Sequence, residues 1–247
     1  MTQLTDKRVV ITGGGSGIGA DMALAFAEAG AEITIIGRRE AALQAIADQH
    51  RRVDFAVVDV TDEVAMVALF EKIGRVDIVI ANAGAAESAP FAKTSFEQWQ
   101  RMLNVNLSGV FLTLREGLKQ LNDGGRLIAV ASTAGLKGYA YVGAYCAAKH
   151  GVVGLVRSLA AETAARNITV NALCPGFTDT PLLAASVGNI VAKTGQSAEQ
   201  ATSHFESTNP TGRLVTPAEV TATALWLCGP NSGAINGQAI SISGGEV

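Results

Sequence analysis

The chain has 247 residues and a formal net charge of −3, from 19 Lys and Arg against 22 Asp and Glu. Hydrophobic residues make up 48% of it, which is too much for an intrinsically disordered chain and enough for a full core without a structural metal. The slightly acidic balance argues against nucleic acid as the main partner, because nucleic-acid-binding proteins usually present a basic face.

Seven short apolar runs alternate with longer segments of helical periodicity. The runs are Arg8–Thr12, Glu32–Gly37, Val53–Val58, Val76–Ala81, Arg126–Ala131, Thr169–Leu173 and Ala239–Ile242. The helical segments lie near 18–29, 40–49, 62–73, 96–121, 143–166 and 217–228. Because each run is nearly all apolar rather than alternating, we expect strands buried on both faces. The alternation predicts an α/β fold of the Rossmann type: a doubly wound, seven-stranded parallel sheet with helices on both faces.

The segment from about 178 to 211 departs from this alternation. It is rich in Ala, Ser, Thr and Gly, and its periodicity is weak. Since no linker divides the chain, we predict a single domain over 1–247 in which this segment forms a lid over the substrate. The alternative is one or two ordinary surface helices.

A glycine-rich stretch joins the first predicted strand to the first predicted helix. Its residues are Gly13, Gly15, Ser16, Gly17, Ile18 and Gly19. Glycine lets the backbone approach a pyrophosphate closely, and free N–H groups at the start of the helix attract the phosphates. In this strand–turn–helix context the stretch predicts a nucleotide-binding site.

Further motifs follow in order along essentially the whole chain. They are the G-x-x-x-G-x-G spacing itself, Asn82-Ala83-Gly84, Asn106, Ser132, the Tyr-x-x-x-Lys of Tyr145 and Lys149, and Pro175-Gly176. Together they resemble the short-chain dehydrogenase/reductase family. One departure is Ala81, where the family often has a first Asn. The resemblance implies an NAD(P)-dependent oxidoreductase that transfers a hydride between a nicotinamide cofactor and a ketone or secondary alcohol.

Tyr145 and Lys149 supply the expected acid–base chemistry. They are one helical turn apart, so they lie on the same helix face. A nearby ammonium favours the phenolate, so we expect Lys149 to lower the pKa of Tyr145 and make it the general acid or base. Ser132, at the end of a strand, can polarise the reacting oxygen. By resemblance, Asn106 completes a tetrad that holds a water and supports a proton relay through Lys149.

The end of the second predicted strand bears on cofactor choice. NAD-binding folds place an acid about 20 residues past the glycines, on the ribose 2′-hydroxyl. Here that region reads Gly37-Arg38-Arg39, with no carboxylate to repel a 2′-phosphate and two guanidiniums to bind one. We therefore predict NADP(H) over NAD(H), with NAD(H) possible. In the alternative interpretation, Arg38 and Arg39 only begin a solvated helix.

The resemblance also implies cofactor contacts by side chains that follow other strands. Asp59 and Val60 are similar to the residues that contact the adenine. Thr178 and Thr180 are similar to those that hold the carboxamide and a phosphate. Asp59 could instead cap the following helix, although Asp62 is better placed as the cap. The motifs Asn82-Ala83-Gly84 and Pro175-Gly176 complete the predicted cofactor site.

The substrate side is less specific. Segments around Ser132 and Tyr145 are most similar to ketoreductases acting on 3-oxoacyl thioesters and polyketides, and to 3-hydroxyacyl dehydrogenases. The small, apolar residues of segment 178–211 favour a hydrophobic ketone or acyl chain. We predict an NADPH-dependent carbonyl reductase. The alternatives are an NAD-dependent alcohol or hydroxyacyl dehydrogenase working in the oxidative direction, and a non-catalytic dinucleotide-binding protein on the same fold.

Remaining expectations concern partners and location. The three histidines form no metal-ligand pair, so no metal site is expected, and no apolar run has the form of a membrane span. Three widely spaced cysteines are typical of reduced thiols in a cytoplasmic protein. The family resemblance implies a homotetramer.

Overall fold

A seven-stranded parallel sheet forms the centre of the computed structural model, which describes residues 3–247. The strands are β1 (Arg8–Thr12), β2 (Glu32–Gly37), β3 (Val53–Val57), β4 (Val76–Ala81), β5 (Leu121–Val130), β6 (Thr169–Pro175) and β7 (Ala239–Ile242). Their order across the sheet is β3-β2-β1-β4-β5-β6-β7. The predicted doubly wound fold is confirmed. Because the chain order reverses between β1 and β4, the connections leave a crevice at the carboxyl ends of these two strands.

Nine α-helices pack around the sheet or beyond its carboxyl edge in the described residues. They are α1 (Gly17–Glu28), α2 (Glu40–Ala47), α3 (Glu63–Ile73), α4 (Phe96–Leu103), α5 (Gly109–Gln120), α6 (Gly143–Thr163), α7 (Pro181–Thr194), α8 (Ala198–Glu206) and α9 (Pro217–Leu227). None of the helices found among residues 3–247 is long and apolar enough to cross a membrane.

Two apolar cores lie on opposite faces of the sheet. On one face, Met22 and Phe26 of α1 and Val220 of α9 are fully buried against the strands. On the other face, Phe70 of α3 and Leu114 of α5 are buried with the apolar side of α6. Burial on both faces explains why the strand sequences are continuously apolar.

The prediction of one continuous helix near 96–121 is wrong. A π-helical turn at Asn104–Ser108 separates α4 from α5. A π turn adds one residue within a helix while the chain remains helical, and the sequence analysis therefore predicted one helix over this range. The fifth strand also begins earlier than predicted, because Leu121 already pairs with Val76 ahead of an irregularity in the register.

The segment near 178–211 leaves the sheet and returns to it at one point. Thr178 and Val215 form an isolated parallel bridge, and Val215 donates its backbone N–H to the carbonyl of Phe177 at 2.9 Å. Helices α7 and α8 lie between these ends. The segment is therefore an insertion after β6 that contains two helices and whose two ends pair with each other at the carboxyl edge of the sheet.

Candidate active site

A large cavity of about 1510 Å³ opens at the carboxyl edge of the sheet. Every predicted site residue except Gly19 lines it: Gly13, Gly15, Ser16, Gly17, Ile18, Arg38, Arg39, Asp59, Val60, Asn82, Ala83, Gly84, Asn106, Ser132, Tyr145, Lys149, Pro175, Gly176, Thr178 and Thr180. The strand ends therefore bring together in space motifs that are widely separated in the sequence.

The start of α1 is suited to an anion. Its N-cap Ser16 makes no side-chain capping bond, and its first turn carries no acidic residue. By contrast, α3, α7 and α9 each receive a side-chain cap, from Asp62, Thr180 and Thr216. The N–H groups at the α1 end remain available, and the helix dipole favours a phosphate there.

Two glycines of the loop are required by close contacts. A Cβ on Gly13, whose φ is +70°, would lie 2.8 Å from the Cα of Ala83. A Cβ on Gly19 would lie 2.4 Å from the carbonyl oxygen of Gly13. Gly19 therefore packs α1 against the loop rather than lining the cavity, and the backbone can pass close to a bound pyrophosphate.

Asn82 braces this loop from the end of β4. Its Nδ2 donates to the carbonyl oxygens of Thr12 at 2.9 Å and Gly13 at 3.3 Å. The backbone N–H groups of Asn82 and Ala83 both donate to Thr12 Oγ1, at 3.0 and 3.1 Å. Thr12 is almost fully buried and was not predicted as a site residue, since its role depends on contacts across the sheet.

Charged groups gather beyond the end of β2. Arg38 Nη1 lies 3.6 Å from Asp59 Oδ2, and Arg39 Nη2 donates to Ser16 Oγ at 3.3 Å. Burial alone would raise the pKa of Asp59, but hydrogen bonds from Thr61 and the Arg38 guanidinium hold it below its usual range. Asp59 is thus an ionised acceptor at this end of the cavity. Asp62, not Asp59, caps α3, as predicted.

Asn106 lies in the π-helical turn and is fully buried. Its Nδ2 donates to the carbonyl oxygens of Ala85 at 2.9 Å and Met102 at 3.0 Å, and its Oδ1 accepts from the N–H of Ala85 at 3.1 Å. These bonds tie the loop after β4 to the turn between α4 and α5. A π turn at a chemically important residue is a recurrent feature of functional sites.

Ser132 follows β5 and begins a short 3₁₀ turn. Its Oγ accepts from the N–H of Ala134 at 3.1 Å. Because the oxygen is used as an acceptor, the hydroxyl hydrogen is left to donate, either to the neighbouring Tyr145 hydroxyl or to a substrate oxygen in the cavity.

Tyr145 and Lys149 project from the first turns of α6. Lys149 is 3% exposed; its Nζ donates to the carbonyl of Val130 at 2.7 Å and lies 5.6 Å from the centre of the Tyr145 ring. Burial lowers the pKa of Lys149 to about 8. Burial also raises the pKa of Tyr145 to about 12, while a hydrogen bond with the Ser132 side chain acts in the opposite direction.

The predicted lowering of the Tyr145 pKa is therefore wrong for this structure. The Lys149 ammonium is held by a backbone carbonyl and faces the ring rather than the hydroxyl, so desolvation dominates. A tyrosine with a raised pKa is protonated at neutral pH, as an unshifted tyrosine is, and it releases its proton less readily.

Thr178 and Thr180 join the end of β6 to α7. Thr178 donates to the carbonyl of Gly176 at 2.9 Å and is 7% exposed. Thr180 caps α7 by accepting from the N–H of Leu183, and its methyl carbon would lie 3.2 Å from a Cβ on Gly17. The glycine-rich loop and α7 therefore meet across the cavity.

Tyr145 was predicted as a site residue, but the other aromatic side chains at this cavity were not. All three tyrosines of the chain and two of its eight phenylalanines, Phe177 and Phe205, line it. Tyr141 is 66% exposed and has a φ of +68°, a conformation that costs energy for a side chain of this size. The concentration of tyrosines between 139 and 145 is the sequence signal that could have indicated this part of the site.

Within the described residues, no three His, Cys, Asp or Glu side chains gather closely enough to hold a metal ion.

Comparison with known proteins identifies the family. The family model described as enoyl-(acyl carrier protein) reductase, one of the short-chain dehydrogenase/reductase models, matches residues 13–246. The chain therefore belongs to the short-chain dehydrogenase/reductase family, and it is an NAD(P)-dependent oxidoreductase. The non-catalytic alternative is accordingly set aside.

Individual relatives are similar over almost their whole lengths. The chain is 34% identical to D-beta-hydroxybutyrate dehydrogenase of Rhizobium meliloti, over 97% of this chain and 98% of that protein. It is 32% identical to acetoacetyl-CoA reductase of an Acinetobacter species, over 97% of each. The crystal structure of a tryptophan variant of actinorhodin polyketide ketoreductase with NADPH superposes with a TM-score of 0.93 at 32% identity, covering 100% of this chain and 99% of that one.

The raised pKa of Tyr145 is directly measurable. With a pKa near 12, only about 1% of this side chain is ionised at about pH 10. We expect the ultraviolet phenolate signal of the protein without cofactor to be unchanged at that pH by Tyr145→Phe, with circular dichroism as the check on folding. A difference of about half a tyrosine would show instead that the pKa is not raised, and a difference close to a whole tyrosine would show that Lys149 lowers it.

Proposed function

We propose that this enzyme is an NADPH-dependent carbonyl reductase in which Tyr145 protonates the oxygen of a ketone. The observation that supports this most strongly is the convergence of Asn106, Ser132, Tyr145 and Lys149 on the cavity that also contains the glycine-rich loop. When bound, the reduced nicotinamide supplies the hydride.

The chain's own residues then act on the oxygen. Ser132 donates a hydrogen bond to the carbonyl oxygen and polarises it. Tyr145 gives its proton to the same oxygen as the hydride reaches carbon, so that the ketone, one hydride and one proton become the alcohol. Lys149 has two further N–H groups beyond the one held by Val130, and these can bind the ribose and stabilise the phenolate that remains.

We assign the cofactor preference to the charges beyond β2. Arg38 and Arg39 line the cavity, and no carboxylate occupies the Gly37 position. The NADPH in the similar ketoreductase structure supports the same preference. One observation favours NAD as a second candidate: Arg38 is already paired with Asp59, which reduces its capacity to bind a 2′-phosphate. The similarity to a hydroxybutyrate dehydrogenase is consistent with oxidation by NAD in that case.

We also propose that the segment at 178–211 covers the substrate, within one domain over 1–247. Leu182, Leu183 and Ile190 of α7 and Phe205 of α8 line the cavity together with polar side chains of the same segment, so the cover has an apolar part and a polar part. Because both ends of the segment are fixed at the Thr178–Val215 bridge, α7 and α8 can shift without disturbing the sheet. The apolar part of the cover favours a hydrophobic ketone.

The homotetramer and the cytoplasmic location stay predictions. Phe96 on α4 and Phe111 on α5 are 69% and 42% exposed, which supports a contact between copies through these helices.

Replacing the proton donor tests the mechanism. Tyr145→Phe is expected to lower kcat for ketone reduction by about 10²- to 10⁴-fold, because the proton donor is lost. The Kd for NADPH, measured by fluorescence titration, should remain within about twofold, since the ring stays. Tyr141→Phe serves as the matched control, because that hydroxyl is exposed at the cavity edge. Near-normal turnover by the Tyr145 variant would contradict the assignment.

A charge reversal beyond β2 tests the cofactor preference. Arg38→Asp is expected to raise the Kd for NADPH about 10- to 100-fold, because a charge-assisted bond to the 2′-phosphate is lost. The Kd for NADH should change by less than about threefold. Arg51→Asp provides the same charge change at an exposed arginine outside the cavity. Equal weakening of both cofactors by Arg38→Asp would show that Arg38 does not recognise the phosphate.

A further inference from the structure

A buried carboxylate lies behind one wall of the cavity. The side chain of Glu246, in the segment after β7, is only 3% exposed. Its Oε1 accepts from Tyr139 Oη at 2.6 Å and lies 3.0 Å from Lys137 Nζ. Its Oε2 has no hydrogen-bond partner within the described chain and faces Gly176, where a Cβ would lie 3.2 Å away. Lys137 is the only cation paired with it among the described residues.

Burying this carboxylate costs desolvation free energy, which its contacts with neighbouring groups must offset. A carboxylate removed from water loses its hydration, and here only one of its two oxygens is compensated. The group that it holds most directly is Tyr139. Because Tyr139 gives its single hydroxyl hydrogen to Glu246, Thr133 Oγ1, 2.6 Å away, must be the donor to Tyr139. The tyrosine hydroxyl is thus fixed from two sides.

The Tyr139 ring forms one end of an aromatic wall of the cavity, made of Tyr139, Phe177 and Phe205. Tyr139 and Phe177 meet edge to face with ring centres 5.7 Å apart, and Phe177 and Phe205 are tilted with centres 4.6 Å apart. The three rings come from the loop after β5, the end of β6 and helix α8. Since only 5% of the chain is aromatic, such a cluster at the cavity is a specific feature.

We propose that Glu246 is a positioning residue that holds Tyr139 in the aromatic wall and thereby adapts the site to ketones that carry a ring. This inference rests on the proposed function, because it concerns the ketone that Tyr145 protonates. A rigid ring gains from a wall whose own rings are fixed in orientation, since aromatic contacts depend on geometry. A flexible acyclic ketone can adapt its conformation to a displaced wall, so its binding depends less on whether the rings of the wall are fixed.

A second interpretation is that Glu246 only attaches the segment after β7 to the body of the protein. In that case its loss lowers stability and affects all substrates alike. An effect of the substitution on ring ketones but not on acyclic ketones distinguishes the first interpretation from the second.

The test compares 2-tetralone, a fused-ring ketone, with the acyclic 2-octanone, using NADPH and the full chain. For Glu246→Ala we expect the KM for 2-tetralone to rise about tenfold, because the charge-assisted bond to Tyr139 is lost. Glu246→Gln keeps an acceptor for Tyr139, so its rise should be smaller, about threefold. The kcat for 2-tetralone and the KM for 2-octanone should each stay within about twofold. Glu162→Gln, at an exposed glutamate of α6, is the control.

A double-mutant cycle tests whether Glu246 acts through Tyr139. Tyr139→Phe keeps the ring but removes the hydroxyl, and it should raise the KM for 2-tetralone to a similar degree as Glu246→Ala. The double variant is expected to be no worse than the more affected single variant, since both remove the same link. Additive effects would overturn the inference. Thermal melting of each variant checks that it is folded.

The outcomes separate this inference from the proposed function. An equal rise in KM for both ketones, or loss of stability alone, overturns the role of Glu246 and leaves carbonyl reduction standing. If the wild type binds NADPH but reduces neither ketone, the proposed function fails and the inference fails with it. A selective rise for 2-tetralone, graded from Gln to Ala, supports both.

Discussion

Every feature of this site depends on one constraint of the parallel sheet: all its strands end at the same edge. β1 and β4 are neighbours although β2 and β3 intervene in the chain, so their following loops diverge and leave a crevice. The hydrogen bonds from Asn82 to Thr12 and Gly13 fasten the two loops across this crevice. Without them, the glycine-rich loop and the strand ends that carry Ser132 would not keep a common geometry.

Burial gives the polar groups at this edge their chemical character. Lys149 and Asn106 are both almost fully buried, and each has its position fixed by backbone partners. Desolvation lowers the pKa of Lys149 and raises that of Tyr145, so both shifts favour the neutral forms. The hydroxyl groups of Tyr145 and Ser132 are hydrogen-bonded to each other at this edge of the sheet.

The sequence predicted the features that depend on local spacing. Continuous apolar runs indicated strands buried on both faces, and the glycine-rich stretch indicated the turn between β1 and α1. The Tyr145 and Lys149 pair was predicted because four-residue spacing fixes a common helix face. Each of these features depends on residues that are close together in the chain or on the position where a strand ends. Such local patterns can be recognised in the sequence.

Features that depend on long-range contacts were missed or wrong. The π turn around Asn106 was not predicted because the chain is helical on both sides of it. The direction of the Tyr145 pKa shift depends on burial and on Val130 holding Lys149, neither of which spacing reveals. Glu246 and Tyr139 are far apart in the chain, so nothing local indicated their bond. Contacts of this kind are set by packing of the whole domain.

Transfer of a labelled hydride tests the central claim most directly, namely that cofactor and ketone meet at this edge of the sheet. NADPH carrying deuterium at one or the other C4 position would be incubated with 2-tetralone, and the alcohol analysed by mass spectrometry. The account predicts one deuterium on the carbinol carbon from only one of the two labelled forms, because a single cavity wall fixes the nicotinamide face. Absence of deuterium from the product, or equal transfer from both forms, would contradict it.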